Sequence, residues 1–378
     1  MKNISIIGAG KIGGAIAHLL AETGDYRVIV ADRSAEQLAK LDKHPAIATA
    51  ELDISDSVAL DAHLGGQFAV LSAAPFHLTG AIAESAARTG THYLDLTEDV
   101  ATTRRVEVLA KGAANAFIPQ CGLAPGFISI VAHDLAKRFD KLDSVRMRVG
   151  ALPQYPSNAL NYNLTWSTDG LINEYIEPCE AIVEGRLISV PAMEEREEFS
   201  LDGVTYEAFN TSGGLGTLAK TLEGRVRTMN YRTIRYPGHQ AIIKALLNDF
   251  NLKNRRDVLK DLFENALPAT MQDVVVIFVT VCGWRDGRYL QETYANKVYA
   301  ETVAGVRMSA IQITTAAGIC TVLDLLAGGL LPQSGFVRQE DIGLDAFLAN
   351  RFGRLYQPGA AAVNGKIQTL ETLKPAAA

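Results

Sequence analysis

The sequence predicts an α/β protein: a doubly wound parallel sheet, an inserted strand-rich α/β domain, and a helical C-terminal return to the first sheet. Three observations carry this. Apolar strand-like runs alternate with helical runs from Ile4 to Gln120, and a glycine-rich turn joins the first strand to the first helix. From about Asp143 the texture changes to longer strands, and it becomes helical again after Met308. With 378 residues, 48% hydrophobic and 21% charged, the chain is long enough for two domains and a sizeable core. The net charge of -6, without a basic stripe, argues against a nucleic-acid partner.

Ile4-Ser5-Ile6-Ile7 forms a short buried strand that runs into Gly8-Ala9-Gly10-Lys11-Ile12-Gly13, and the helical spacing Ile12, Ile16, Leu19, Leu20 follows at once. In a strand-turn-helix setting Gly8 permits the tight turn. Gly10 lets a pyrophosphate approach the backbone, and Gly13 lets helix and strand pack closely. The anion would rest on the helix N-terminus, beside Lys11 and Ile12, where free N–H groups and the helix dipole favour negative charge. A second strand, Tyr26 to Ala31, ends at Asp32, about 20 residues after the last glycine, where an acid accepts from ribose hydroxyls and repels a 2′-phosphate. The pattern predicts a Rossmann dinucleotide domain that prefers NAD. Arg33 joins the cofactor residues, because its guanidinium can stack on adenine or receive a 2′-phosphate.

The alternation continues through strands at 48–53, 68–74, 92–96 and 116–120, with helical runs between them. Ligands of such a sheet lie off the carboxyl ends of its strands. Asp53 and Ile54 should face the adenine, and Ser72, Ala73, Ala74 and Pro75 should flank the dinucleotide. Asp95, Leu96, Thr97 and Glu98 should close the fifth strand beside the nicotinamide, with Cys121 where the sixth strand meets the cleft.

The expected organisation is a dinucleotide-binding domain over 1–125, a substrate domain over 126–307, a helical segment over 308–350 and a loose tail over 351–378. In the second domain, 145–149, 274–281 and 297–303 read as strands, and the acidic run 194–198 reads as a solvated face. The apolar stretch 314–331 contains Asp324 and three glycines, so it reads as a buried helix rather than a membrane span. Cys121, Cys179, Cys282 and Cys320 lie far apart without a CxxC pair, which predicts buried thiols and no metal site. The opening MKNISIIGAG lacks the features of a signal peptide, so a cytoplasmic protein is expected.

Five segments carry a likeness: SAAPF at 72–76, HYLDLTED at 92–99, QCGLAPGF at 120–127, NYNLTWSTDGLINEY at 161–175 and YRTIRYPGH at 231–239. Together with the nucleotide motif, the chain resembles the saccharopine dehydrogenase superfamily, and within it most closely the bacterial lysine 6-dehydrogenases. The resemblance implies a homodimer with a Rossmann domain interrupted by a substrate domain. It also implies NAD-linked oxidation of L-lysine at the ε-carbon, yielding a semialdehyde that cyclises, with ammonia released.

Chemistry sets its own requirements. Hydride leaves a carbon bearing nitrogen only when the nitrogen lone pair can push, yet a lysine ammonium has a pKa near 10.4, so a base must first remove a proton. Asp95 and Glu98 are the carboxylates in position, and His239 is the alternative base; Cys121 can contact substrate or nicotinamide. The α-carboxylate is best gripped by a forked guanidinium, which points to Arg235 between Tyr231 and Tyr236. Asn158, Tyr162, Trp166 and Ser167 would line the aliphatic stem and α-amino group.

Structural alternatives stand beside these roles: Asp95 as a helix cap, Arg235 as an interface ion pair, His239 as the start of a helix, Trp166 as core. Arg225, Arg227 and Arg232 would suit a saccharopine or carboxynorspermidine dehydrogenase, whose secondary-amine substrate carries more carboxylates. A non-catalytic NAD-binding protein would keep the glycine motif and dispense with the acid/base groups.

Overall fold

A computed structural model describes residues 1–357, and the chain divides into two compact units. The first comprises Met1–Phe127, Thr302–Met308 and the chain from Gln312; the second comprises Ile128–Glu301 and Ser309–Ile311.

In the first unit, strands β1 (Lys2–Ile7), β2 (Tyr26–Asp32), β3 (Ile47–Glu51), β4 (Ala69–Ser72), β5 (His92–Asp95) and β6 (Ala116–Ile118) are all parallel, in the order β3-β2-β1-β4-β5-β6. A two-residue strand, Gly335–Phe336, extends the sheet beyond β6. The order reverses between β1 and β4, and a crevice at such a reversal is where doubly wound sheets bind ligands. Ile4, Ile6, Val28, Val30, Val70 and Leu71 are buried, as expected for strands covered on both faces.

The C-terminal return differs from expectation at its end. Arg351 to Gln357, expected in a loose tail, hold an ordered turn that includes the 3-10 segment Gly353–Tyr356. Arg351 donates to Asp324 at 2.6 and 3.2 Å and to Asp25 at 2.6 Å, while Tyr26 and Asn350 donate to the same Asp324 carboxylate. Asp324, which interrupts the apolar stretch in the sequence, is thus the buried anchor of this end of the chain. Residues 358–378 of the expected tail lie outside the described residues. The helix Ala310–Ala327 is long and apolar enough to cross a membrane, but 78% of it is buried within the fold.

The second unit is built on an eight-stranded mixed sheet. Its main path runs Glu197–Leu201, Val204–Asn210, Thr228–Arg235, Lys141–Pro153, Asp273–Arg285, Arg288–Tyr299; off this path Cys179–Val183 pairs with Thr228–Arg235, and Arg186–Val190 pairs with Cys179–Val183. The expected strand 297–303 is split: its first residues end the long strand Arg288–Tyr299, and Glu301–Val303 pairs with Val306–Met308 in a separate ribbon. The acidic run is also more than a solvated face. Glu194 pairs with Lys244, Glu195 with Arg232, and Glu197 with both Arg148 and Arg232. Tyr162, Leu171, Ile172, Tyr175, Phe209, Ile243, Leu247 and Phe263 form the core between this sheet and its helices.

Candidate active site

The nucleotide end is made from backbone. The helix α1 (Lys11–Ala21) starts at Gly10, and no side chain caps it, so the amides of its first turn are open to an anion. Gly8 has φ +111°, and an added Cβ would lie 2.8 Å from the Ala73 carbonyl oxygen. A Cβ on Gly13 would lie 1.8 Å from the Gly8 carbonyl oxygen, whereas one on Gly10 would meet nothing within 4 Å. The motif therefore closes the turn, packs helix on strand and leaves space at Gly10, where a pyrophosphate would approach. These residues fit a dinucleotide.

Asp32 accepts from Ala9 N–H and Ser34 N–H, both at 2.8 Å, so it orients the glycine turn as well as ending β2. Arg33 is exposed beside it. Asp53 is exposed and folds back on Ser55, and Ile54 packs on the core. Ser72 Oγ lies 3.3 Å from Thr79 Oγ1, and Pro75 opens the helix Phe76–Thr89, which also has no side-chain cap.

The three candidates at the end of the fifth and sixth strands separate cleanly. Asp95 is fully buried, and both its oxygens are committed: Tyr93 Oη donates to one at 2.7 Å, and the amides of Thr97 and Gln120 donate to the other at 3.0 and 2.8 Å. It is not a helix cap, because Asp99 caps the next helix, Val100–Leu109, by accepting from Thr102 N–H. Nor is it an accessible base; it pins the strand ends, and burial pushes its carboxyl up to about 6. Cys121 is likewise buried, donating to the Ile118 carbonyl at 2.9 Å and accepting from Gln339, with burial holding its thiol protonated. Glu98 remains. It is partly buried, no other residue's side chain bonds it among the described residues, and burial followed by Asp99 and Asp95 raises its carboxyl above the usual range. A raised carboxyl accepts a proton more readily than an ordinary glutamate.

In the second unit the opening residues of YRTIRYPGH supply one face of a strand. Tyr231, Thr233 and Arg235 alternate inward on Thr228–Arg235. Arg235 is only 3% exposed, yet among the described residues no carboxylate lies within ion-pair distance of it. Its cross-strand neighbour Glu207 turns instead to the amides of Gly238 and Gln240 and to Arg196, fixing the Pro-Gly turn. The guanidinium stacks over Tyr162 at 4.9 Å and lies near Tyr175 at 5.8 Å; Tyr236 stacks on Tyr206 instead of flanking it. Burial works against its charge, but the Tyr175 and Tyr162 oxygens and Glu174 hold its pKa above normal.

His239, the alternative base, has both ring nitrogens engaged within the core. Its Nδ1 lies 3.0 Å from the Leu160 carbonyl and its Nε2 3.0 Å from Tyr175 Oη, and burial followed by the Arg235 charge pushes it down to about 3. The ring is a neutral part of the core that also begins the helix His239–Lys244. Asn158 holds the loop carrying Tyr162 by bonding its backbone, and Ser167 is the exposed N-cap of the helix Thr168–Ile176. Trp166 packs against the core. Tyr162 Oη and Thr165 Oγ1 are buried near each other, and neither makes a hydrogen bond of good geometry among the described residues. Tyr175, which sequence reasoning missed, joins Arg235 to His239; its only signal was a buried tyrosine ending the quoted segment 161–175.

Two family models cover most of the chain: the saccharopine dehydrogenase NADP binding domain over residues 4–117 and the saccharopine dehydrogenase C-terminal domain over 122–357. The NADP-using, L-glutamate-forming saccharopine dehydrogenase of Saccharomyces cerevisiae is 25% identical over 67% of this chain, but the match spans only 59% of that enzyme. The carboxyaminopropylagmatine dehydrogenase of Synechocystis is 23% identical over 97% of this chain and 98% of its own. The solved apo structure of the yeast saccharopine dehydrogenase shares the fold, with a TM-score of 0.75 at 18% identity over 97% of this chain and 98% of that one. With a glycine turn built for a dinucleotide, a raised carboxylate and a buried unpaired arginine all inside the matched regions, the chain belongs to the saccharopine dehydrogenase family of oxidoreductases.

Proposed function

We propose that the protein is an NAD-dependent dehydrogenase acting on the ε-carbon of L-lysine, giving the semialdehyde, which cyclises, and releasing ammonia. The observation that carries this reading is Arg235, a buried guanidinium with no acidic partner among the described residues. A guanidinium kept charged, with no carboxylate at ion-pair distance among the described residues, suits a substrate carboxylate. The other arginines that a substrate with more carboxylates would need are engaged or exposed. Arg227 pairs with Asp143 and Glu184, Arg232 pairs with Glu195 and Glu197, and Arg225 is exposed. One receptor matches one carboxylate.

Bound nicotinamide supplies the hydride acceptor. The first-turn amides of α1, with Gly8, Gly10 and Gly13, would hold the pyrophosphate, and Asp32 would take the ribose hydroxyls. Glu98 removes a proton from the ε-ammonium and later activates the water that attacks the imine. Asp32 favours NAD, whereas exposed Arg33 and the NADP-using relatives favour NADP; comparing kcat/KM for the two cofactors decides between them. A homodimer belongs to the same proposal and is checked by light scattering.

The second reading is a dehydrogenase of a secondary amine, favoured by the names of the relatives. The assay follows reduced-nicotinamide formation with L-lysine, saccharopine and carboxynorspermidine. Turnover with lysine supports the first reading, and turnover with only the others replaces it.

A further inference from the structure

The surroundings of Arg235 determine how it offers its charge to a substrate carboxylate. A guanidinium has five N–H donors. Nε donates to Tyr175 Oη at 2.9 Å, and Nη1 donates to Thr233 Oγ1 at 2.9 Å and to the Ile234 carbonyl at 2.8 Å. Three donors are thereby used, and the two on Nη2 have no partner among the described residues.

The chain of bonds beyond Nε runs in one direction only. The Leu160 carbonyl can only accept, so His239 Nδ1 carries the hydrogen of the bond between them. In the neutral ring Nε2 must then accept, and the Tyr175 hydroxyl donates to it. That donation turns a Tyr175 lone pair toward Arg235 Nε–H. Phe209 stacked on His239 at 6.3 Å, and Tyr162 edge-on to it at 5.3 Å, restrain the ring.

A forked grip needs N–H groups from two nitrogens on one edge, and on either edge that includes Nη2 the other nitrogen is occupied. Resting on the reading of Arg235 as the carboxylate receptor, we infer that Tyr175 and His239 are positioning residues that leave it only Nη2 to offer, so that the site receives a single carboxylate oxygen end-on. This corrects the forked grip expected from the sequence. It also assigns His239, first considered as a base, a role in substrate affinity alone.

The test uses the full chain and the variants Tyr175→Phe, His239→Ala, His239→Gln and Arg235→Ala. Each is assayed with the carboxylated amine that the wild type oxidises and with its counterpart lacking the carboxylate, 1,5-diaminopentane for lysine. The diamine is read as substrate or as competitive inhibitor. Tyr175→Phe and His239→Ala should raise KM for the carboxylated amine about fivefold to tenfold, the net worth of one ordinary hydrogen bond, because the released guanidinium loses its fixed aim, with kcat little changed. His239→Gln, whose side-chain carbonyl can still accept from Tyr175, should restore most of that affinity. With the diamine, all these variants should match the wild type.

A fall in kcat shared by both amines would place His239 in the chemistry and overturn the inference. An unchanged KM in Tyr175→Phe would overturn it as well, and this variant reads the relay even if His239→Ala fails to fold. Arg235→Ala separates the two levels. If it raises KM for the carboxylated amine while the relay variants do nothing, only the positioning roles fall; if it changes nothing, the carboxylate receptor falls with them.

Discussion

The candidate residues of the two units are built from different materials. In the first unit the nucleotide end is backbone: glycines where a Cβ would collide, and a helix start that no side chain caps. In the second unit the proposed carboxylate receptor is side chain. Tyr162 and Tyr175 come from segment 161–175, Arg235 and His239 from segment 231–239, and the two meet only in the folded core. The first kind of site is damaged by adding atoms and the second by removing them.

Four predictions probe that contrast, in descending size. Glu98→Gln should lower kcat by about 10²–10⁴-fold, the range for loss of a general base, with cofactor binding retained. In the wild type the acid limb of kcat should lie above the ordinary glutamate range, because activity needs Glu98 ionised and its pKa is raised. Arg235→Ala should raise KM for L-lysine by roughly 10–100-fold while the NAD dissociation constant stays put. Loss of both would mean that the arginine is structural. Gly13→Ala should do the reverse and weaken cofactor binding about tenfold, because the new Cβ meets the Gly8 carbonyl that the turn depends on. A variant that binds NAD normally would contradict the backbone account.

The smallest effect is on stability against pH, and it has opposite signs in the two units. Asp95 is raised from 3.8 to about 6 by burial, so its neutral form stabilises the first unit below 3.8, and that stability is lost as pH rises through about 6. His239 is lowered from 6.5 to about 3, so its contribution to the second unit is full above 6.5 and is lost as pH falls toward 3. Hydrogen exchange followed in each unit should show these opposite trends. Asp95→Asn should flatten the first and His239→Gln the second; identical profiles in both units would refute the assignment.

The same contrast explains what was legible in the sequence. The parallel sheet, its glycine turn and Asp32 follow from local spacing, because backbone sites need glycine at fixed offsets. Arg235 could be singled out because a substrate carboxylate calls for a guanidinium and the segment YRTIRYPGH offers one between tyrosines. The roles of Asp95, Cys121 and His239 could not be read, since each depends on burial and on partners such as Gln120, Gln339 and Tyr175. Tyr175 lies 60 residues from Arg235 in sequence, and no spacing rule links them. The order of 351–357 was hidden for the same reason: Arg351 finds its partners at Asp25 and Asp324.

The central claim is oxidation of a primary amine held by its single carboxylate. The most direct measurement incubates purified protein with NAD and L-lysine, following reduced nicotinamide and ammonia together. Both should appear, one ammonia for each reduced cofactor. Turnover confined to a secondary amine such as saccharopine, with an amino acid released and no ammonia, would contradict it.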